Sequence, residues 1–257
     1  MKVASIQLEY SDGQTREDMA ARVSRMLDQC AGCDLVILPE LWPTGFMAYD
    51  RYHPESEAID GPTASLIADK AARLNAWIHG GSFVEKKDGN YYNTSVLFDR
   101  KGNLAASYRK IHLYSHNCRE PELLTPGNEL VVTETEFGTI GLATCYDLRF
   151  PELFRKLTDM GAVMFLVAAC WSAPKDDDWD LFNRARALEN TAWLISCNAA
   201  GGQGGMRHTG RSKIVDPWGT VIANSAHRET IVTAEIDPGL ARRVREEYPV
   251  LKDRMFV

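Results

Sequence analysis

Apolar and polar positions alternate along this chain with two different periods, and the switches between them outline its elements. Val3 to Leu8 has the rhythm of a strand, and Thr15 to Cys30 repeats its apolar residues at helical spacing. Asp34 to Leu38 holds a short apolar run, predicted as a second strand. Gly61-Pro62-Thr63 opens another helix to about Asn75, and strand Trp77 to Val84 follows. Lys87-Asp88-Gly89-Asn90 and Asp99-Arg100-Lys101-Gly102-Asn103 read as hairpin turns, flanking a strand from Tyr91 to Asp99. Downstream the pattern gives strand Thr139 to Thr144, helix Glu152 to Asp159, a strand from Val163, a helix from about Trp179 to Asn190, and strand Trp193 to Asn198. Gly201 to Gly205 reads as a flexible loop without the strand–helix setting of a phosphate cradle. Arg211 to Asp216, Thr220 to Ala223 and Ile231 to Glu235 read as a closing meander. Strands interleaved with helices and hairpins predict a layered α/β protein.

Composition narrows the function classes. The chain has 257 residues, 45% of them apolar, enough for one substantial core, so a single domain over 1–257 is expected. A net charge of -6 and the lack of a basic run argue against nucleic acid or an anionic membrane as partner. No apolar stretch is long enough to span a bilayer, and Met1-Lys2-Val3 leads straight into a strand pattern without a signal-peptide pattern. A cytoplasmic protein is the expectation.

Three strand ends carry candidate chemistry. The apolar run ending in Ala143-Thr144 delivers Cys145 just before a helical pattern near Pro151. A thiol on such a bend projects from the sheet, and the N–H of the next residue, Tyr146, can turn toward a developing oxyanion. Leu38-Pro39 delivers Glu40, a base candidate, since a desolvated carboxylate is a stronger base than an exposed one. Tyr108-Arg109 delivers Lys110, a fixed positive charge. Singly, each has a plainer reading: core filling for Cys145, a helix-start carboxylate for Glu40, a solvated charge for Lys110.

Together, Leu38-Pro39-Glu40, Tyr108-Arg109-Lys110-Ile111-His112 and Thr144-Cys145-Tyr146-Asp147, with a fourth match at Asp216-Pro217-Trp218-Gly219, resemble the carbon–nitrogen hydrolase (nitrilase) superfamily. The resemblance runs from Val3 to about Pro249. It implies a four-layer αββα sandwich, usually paired through its helix layers into a homodimer or larger homo-oligomer, with neither cofactor nor metal. It also implies a Glu-Lys-Cys triad: Cys145 as nucleophile, Glu40 as proton carrier, and Lys110 with the Tyr146 N–H as oxyanion stabiliser. The family's second active-site Glu, six residues before a Pro-Gly pair, falls on Glu120, with Glu122 as the nearby competitor.

Cys145-Tyr146-Asp147-Leu148-Arg149-Phe150-Pro151 is most similar to the Nit/ω-amidase branch, which hydrolyses the terminal amides of small carboxylic acids such as 2-oxoglutaramate and deaminated glutathione. A carboxylate-bearing substrate favours an Arg or Lys in the pocket, with Arg119, Lys175 and Arg207 as candidates. Arg149 is expected to pair with Asp147 or Glu152. Trp171 is a pocket-wall candidate or a cap on the core edge, and His112 and His116 read as hydrogen-bonding loop residues. The rivals are hydrolysis of an N-carbamoyl compound or a nitrile by the same triad, and a non-catalytic binding protein on the same fold.

Two features stand apart. Cys30-Ala31-Gly32-Cys33 is a CxxC that reads as the stop of the first helix; the alternatives are a redox pair or half of a zinc site. The tail from Tyr248 to Val257 carries apolar residues that fit either a subunit interface or a frayed end.

Overall fold

The computed structural model describes residues 1–256; Val257, the last residue of the tail, lies outside them. Two six-stranded sheets pack face to face. The first has the order β15-β1-β3-β4-β5-β6, built from β1 (Lys2–Gln7), β3 (Leu35–Ile37), β4 (Trp77–Lys87), β5 (Asn90–Phe98), β6 (Leu104–Arg109) and β15 (Thr230–Glu235). The second has the order β14-β13-β10-β9-β8-β7, built from β7 (Val132–Thr135), β8 (Gly138–Thr144), β9 (Met164–Ala169), β10 (Trp193–Asn198), β13 (Lys213–Val215) and β14 (Val221–Asn224). In each sheet the central trio is parallel, β1-β3-β4 and β8-β9-β10, with antiparallel strands at the edges. A small sheet adds β2 (Glu9–Tyr10), β11 (Ala200–Gln203) and β12 (Met206–Arg207).

The parallel strands are apolar on both faces, as burial on both sides requires. Along β1 and β3, Val3, Leu35 and Ile37 point to the opposite sheet, where they meet Ile140, Leu142, Met164 and Leu166. The residues between them, Ala4, Ile6 and Val36, face outward onto α1 (Arg16–Asp28) and α2 (Pro62–Leu74). On the far side, Ala143, Phe165 and Val167 face α4 (Pro151–Asp159) and α5 (Asp176–Asn190). The layers are therefore α, β, β, α, as the resemblance implied. Short helical elements also include α3 (Glu120–Leu123) near the site, a 3-10 turn over Cys145–Arg149 and α6 (Leu240–Glu247) before the tail.

Several expectations change. The Gly201–Gly205 segment is a hairpin, β11 to β12, rather than a loop. The closing strands form no meander: β15 leaves β13 and β14 and pairs antiparallel with β1 in the other sheet. The first helix keeps its expected span, with Thr15 as N-cap and Gln29 as C-cap, but α5 begins earlier than expected, at Asp176, where Asp176, Asp177 and Asp178 complement the helix dipole in its first turn. The Asp216-Pro217-Trp218-Gly219 match is a turn between β13 and β14. There Asp216 Oδ1 accepts the N–H groups of Trp218 and Thr220, both at 2.9 Å, away from the site. In the tail, Met255 and Phe256 are exposed, while Arg254 reaches back to Asp159 at 2.6 Å.

Candidate active site

Four strand ends converge at one edge of the seam between the sheets. β3 runs out through Leu38 and Pro39 to Glu40, and the backbone then bends sharply, with Leu41 in the left-handed region at φ 49°. The Glu40 carbonyl accepts the Tyr10 hydroxyl at 2.7 Å, and the Leu41 N–H donates to Ser82 Oγ at 2.9 Å. Gly81 makes the bend possible: at its φ of 64°, a Cβ would stand 2.1 Å from the Pro39 carbonyl oxygen.

Lys110 follows β6, its N–H donating to the Asn93 carbonyl at 2.9 Å and its own carbonyl accepting the Gly127 N–H at 2.8 Å. A Cβ at position 127 would lie 2.1 Å from the Arg109 carbonyl oxygen, so the chain can lie against the Lys110 backbone only as glycine. This is the physical sense of the Pro126-Gly127 pair.

Cys145 sits on a strand-to-turn bend with φ 46°, a conformation costing a non-glycine residue about 1–3 kcal/mol. Asp147 holds the turn in place: its Oδ2 accepts the Thr144 N–H at 2.8 Å and the Tyr108 hydroxyl at 2.7 Å. Its Oδ1 lies 2.7 Å from His112 Nδ1 and accepts the His112 backbone N–H at 3.2 Å.

Between these ends lies a buried polar cluster. Lys110 Nζ donates to Glu40 Oε1 at 2.8 Å and to both oxygens of Glu120 at 2.9 Å, with all three side chains fully buried. Asn93 Nδ2 donates to Glu40 Oε1 at 2.8 Å and Glu120 Oε1 at 3.0 Å. The Cys170 N–H donates to Glu40 Oε2 at 2.9 Å, and the Tyr114 N–H to Glu120 Oε2 at 2.7 Å. The charges set the protonation order. Burial alone would lower the Lys110 pKa, but Glu120 and Glu40 outweigh it and hold the ammonium well above the usual lysine range. Burial raises Glu120, with Lys110 opposing. Burial and then the Glu40 carboxylate push the Cys145 thiol well up, against the Lys110 charge and the Cys170 N–H. A protonated thiol beside a carboxylate suits attack in which the carboxylate removes the proton as the bond forms.

A narrow cleft opens onto Cys145, lined by aromatic walls from Phe46, Tyr114, Tyr146 and Trp171. Lys175 and Arg149 also line it. Lys175 Nζ donates to the Tyr114 hydroxyl at 2.7 Å, and among the described residues no carboxylate pairs with it. Arg149 pairs with Asp178 at 2.6 Å, not with Asp147 or Glu152 as expected, because the Lys110 segment and the Cys145 turn occupy Asp147. The Arg149 guanidinium lies 5.1 Å from the Trp171 and Phe182 ring centroids.

The structure thus gathers Glu40, Lys110, Glu120, Cys145, Tyr146 and Trp171. Glu122 instead pairs with Arg119 at 3.0 Å on the surface, and Arg207 is exposed outside the cleft lining. Sequence reasoning missed Asn93, whose signal was an amide in a strand pattern that disfavours one. It also missed the Asp147 tether and the cleft-facing position of Arg149.

Comparison with known proteins agrees with this geometry. Residues 2–246 match the carbon–nitrogen hydrolase family model. The chain is 34% identical to a 2-oxoglutaramate amidase of Paenarthrobacter nicotinovorans, covering 99% of this chain and 89% of the relative. It is 32% identical to a deaminated glutathione amidase of Yersinia enterocolitica, covering 100% and 95%. Among solved structures, Saccharomyces cerevisiae Nit3, a member of branch 10 of the nitrilase superfamily, superposes with a TM-score of 0.88 at 28% identity, covering 100% of this chain and 97% of that one. The chain belongs to the carbon–nitrogen hydrolase family. Within it, the protein is an amidase, hydrolysing carbon–nitrogen bonds.

Proposed function

We propose that the protein hydrolyses the terminal amide of a small linear carboxylic-acid amide to the acid and ammonia, in the manner of an ω-amidase. The carrying observation is Lys175, a cation in the cleft wall with no acidic partner among the described residues, facing the same cleft as Cys145. A substrate carboxylate there gains a charge-assisted hydrogen bond, about 1.5–3 kcal/mol. Arg149, already paired with Asp178, adds positive potential and less net charge. Relatives whose names specify 2-oxoglutaramate and deaminated glutathione support the same substrate class.

In this reading Cys145 Sγ attacks the amide carbonyl while Glu40 takes the thiol proton. Lys110 and the Tyr146 N–H stabilise the tetrahedral oxyanion. Collapse expels ammonia, protonated by Glu40, and leaves a thioester on Cys145. Glu40 then removes a proton from water, which attacks the thioester and returns the acid and the free thiol. Glu120 and Asn93 hold Lys110 and Glu40 at their distances. Assembly as a homodimer is part of the proposal. Leu181, Leu188, Trp218 and Tyr248 are exposed apolar side chains, a pattern that favours a partner surface. Six free thiols suit the reducing cytosol.

Ammonia release from 2-oxoglutaramate, deaminated glutathione, simple aliphatic amides, N-carbamoyl amino acids and nitriles tests the reading, with Cys145→Ala as control. The carboxylate-bearing amides should lead, and the variant should be silent. Carbon dioxide alongside ammonia, or turnover confined to nitriles, would replace the substrate class; activity surviving in Cys145→Ala would remove the nucleophile.

A further inference from the structure

The Cys30-Ala31-Gly32-Cys33 turn takes no part in this chemistry. α1 ends at Asp28, so both cysteines lie in the connection to β3. The Cys33 N–H donates to the Cys30 carbonyl at 3.0 Å, and Gly32 completes the turn at φ 82°. Such a turn brings its first and fourth Cα atoms within about 7 Å, and disulfides span Cα separations of about 4.4–6.8 Å. Both side chains are buried, at 1% and 4% exposure, yet Ala31 and Gly32 between them are exposed. The pair therefore lies directly beneath the surface. The Cys30 thiol donates to the Met26 carbonyl at 3.5 Å.

The surroundings separate the readings. Among the described residues no group of three or more His, Cys, Asp or Glu is arranged to hold a metal ion, so a half zinc site has no second half. The neighbouring Asp34 is engaged by Arg100 at 2.7 Å and by the Lys2 N–H at 2.8 Å. The two thiols have different surroundings: Cys30 donates to the Met26 carbonyl, and Cys33 is the more exposed of the pair. The neighbouring Cys30 thiol lowers the Cys33 pKa, with the Lys2 charge helping. The proximity of Cys33, and then burial, pushes Cys30 up. One thiol is set to attack and the other to resolve.

We propose that Cys30 and Cys33 form a redox-active dithiol, a modification site separate from Cys145, which exchanges with low-molecular-weight disulfides such as oxidised glutathione. The Cys33 thiolate attacks one sulfur of the small disulfide, displacing one thiolate and leaving a mixed disulfide on Cys33. Cys30 gives its proton to the released thiolate and attacks the Cys33 sulfur, expelling the second thiolate, which takes up the proton that Cys33 gave to solvent on ionising. One small disulfide becomes two thiols, and the protein exchanges two S–H groups for one S–S bond.

The test is a redox titration of wild-type protein in reduced and oxidised glutathione, quenched in acid, with free thiols alkylated after unfolding. Peptide mapping keeps the pair's state apart from that of Cys145. Cys30 and Cys33 should leave the alkylated pool together as the buffer becomes oxidising, their shared peptide becoming lighter by two hydrogens. In Cys30→Ser the reaction should stop at a glutathione adduct on Cys33. Two thiols that remain alkylatable at the most oxidising poise overturn the proposal, as does an adduct that forms on Cys30 rather than Cys33. The wild-type titration decides even where the variant fails to fold.

Discussion

Asp147 accepts the Tyr108 hydroxyl at 2.7 Å, and this contact ties the turn that carries Cys145 to the strand that delivers Lys110. The same carboxylate grips Thr144, one residue before Cys145, and His112, two residues after Lys110. The distance between thiol and ammonium is thus set by a side chain that contacts neither in these bonds. Tyr108→Phe removes a hydrogen bond to a buried carboxylate, expected to cost about 1.5–3 kcal/mol of stability. Urea unfolding of the two proteins measures it; a loss below about 0.5 kcal/mol would show that Asp147 does not depend on Tyr108.

Glu120 and Glu122 are separable by substitution. Glu120 accepts from Lys110, Asn93 and the Tyr114 N–H, and Glu120→Gln turns an amide N–H₂ toward the ammonium. Turnover should fall by about 10²-fold or more, the scale of losing one oxyanion-stabilising group. Glu122→Gln breaks only an exposed pair with Arg119 and should stay within twofold of wild type. Steady-state kinetics with a common substrate decides, and equal losses would contradict the placement.

Alkylation of Cys145 should have an unusual pH profile. Only the thiolate reacts, and burial with the Glu40 charge raises the pKa, so ionisation is deferred to higher pH. Labelling by iodoacetamide should climb roughly tenfold per pH unit from 7 to 9 without levelling, where an ordinary thiol begins to plateau near its pKa of about 8.5. A plateau at or below pH 8 would point to a resting thiolate instead.

Lys175→Met tests the carboxylate contact without touching the polar cluster. KM for a carboxylate-bearing amide should rise at least about tenfold, since 1.4 kcal/mol is a factor of ten. KM for a neutral aliphatic amide should change little. A parallel rise for both substrates would mean that Lys175 shapes the cleft through Tyr114 rather than reading charge.

Much of this was legible because strand-end motifs are local. Leu38-Pro39-Glu40, Arg109-Lys110 and Thr144-Cys145 each combine an apolar run with a polar terminus, so the sequence placed each at a strand end. The family's count to Pro126-Gly127 pointed to Glu120, whose carboxylate accepts from Lys110, while Gly127 itself lies against the Arg109 carbonyl. Long-range pairings were not legible. Nothing near Arg149 names Asp178 as its partner, 29 residues on, and nothing in β15 says that it joins β1 across 229 residues or so of chain. The Gly201–Gly205 hairpin was hidden because glycines carry no apolar pattern; its strand character comes from pairing with β2 and β12.

Glu40 and Lys110 follow strands of one sheet, which also holds Asn93, and Cys145 and Cys170 follow strands of the other. In the proposed mechanism neither sheet supplies a complete set of reacting groups, so the docking of the two layers is itself part of the machinery. A compact state that keeps both sheets but lets them slide would retain its far-ultraviolet circular dichroism and lose its turnover. In such a molecule, activity reports the seam long before any spectroscopic measure of backbone structure does.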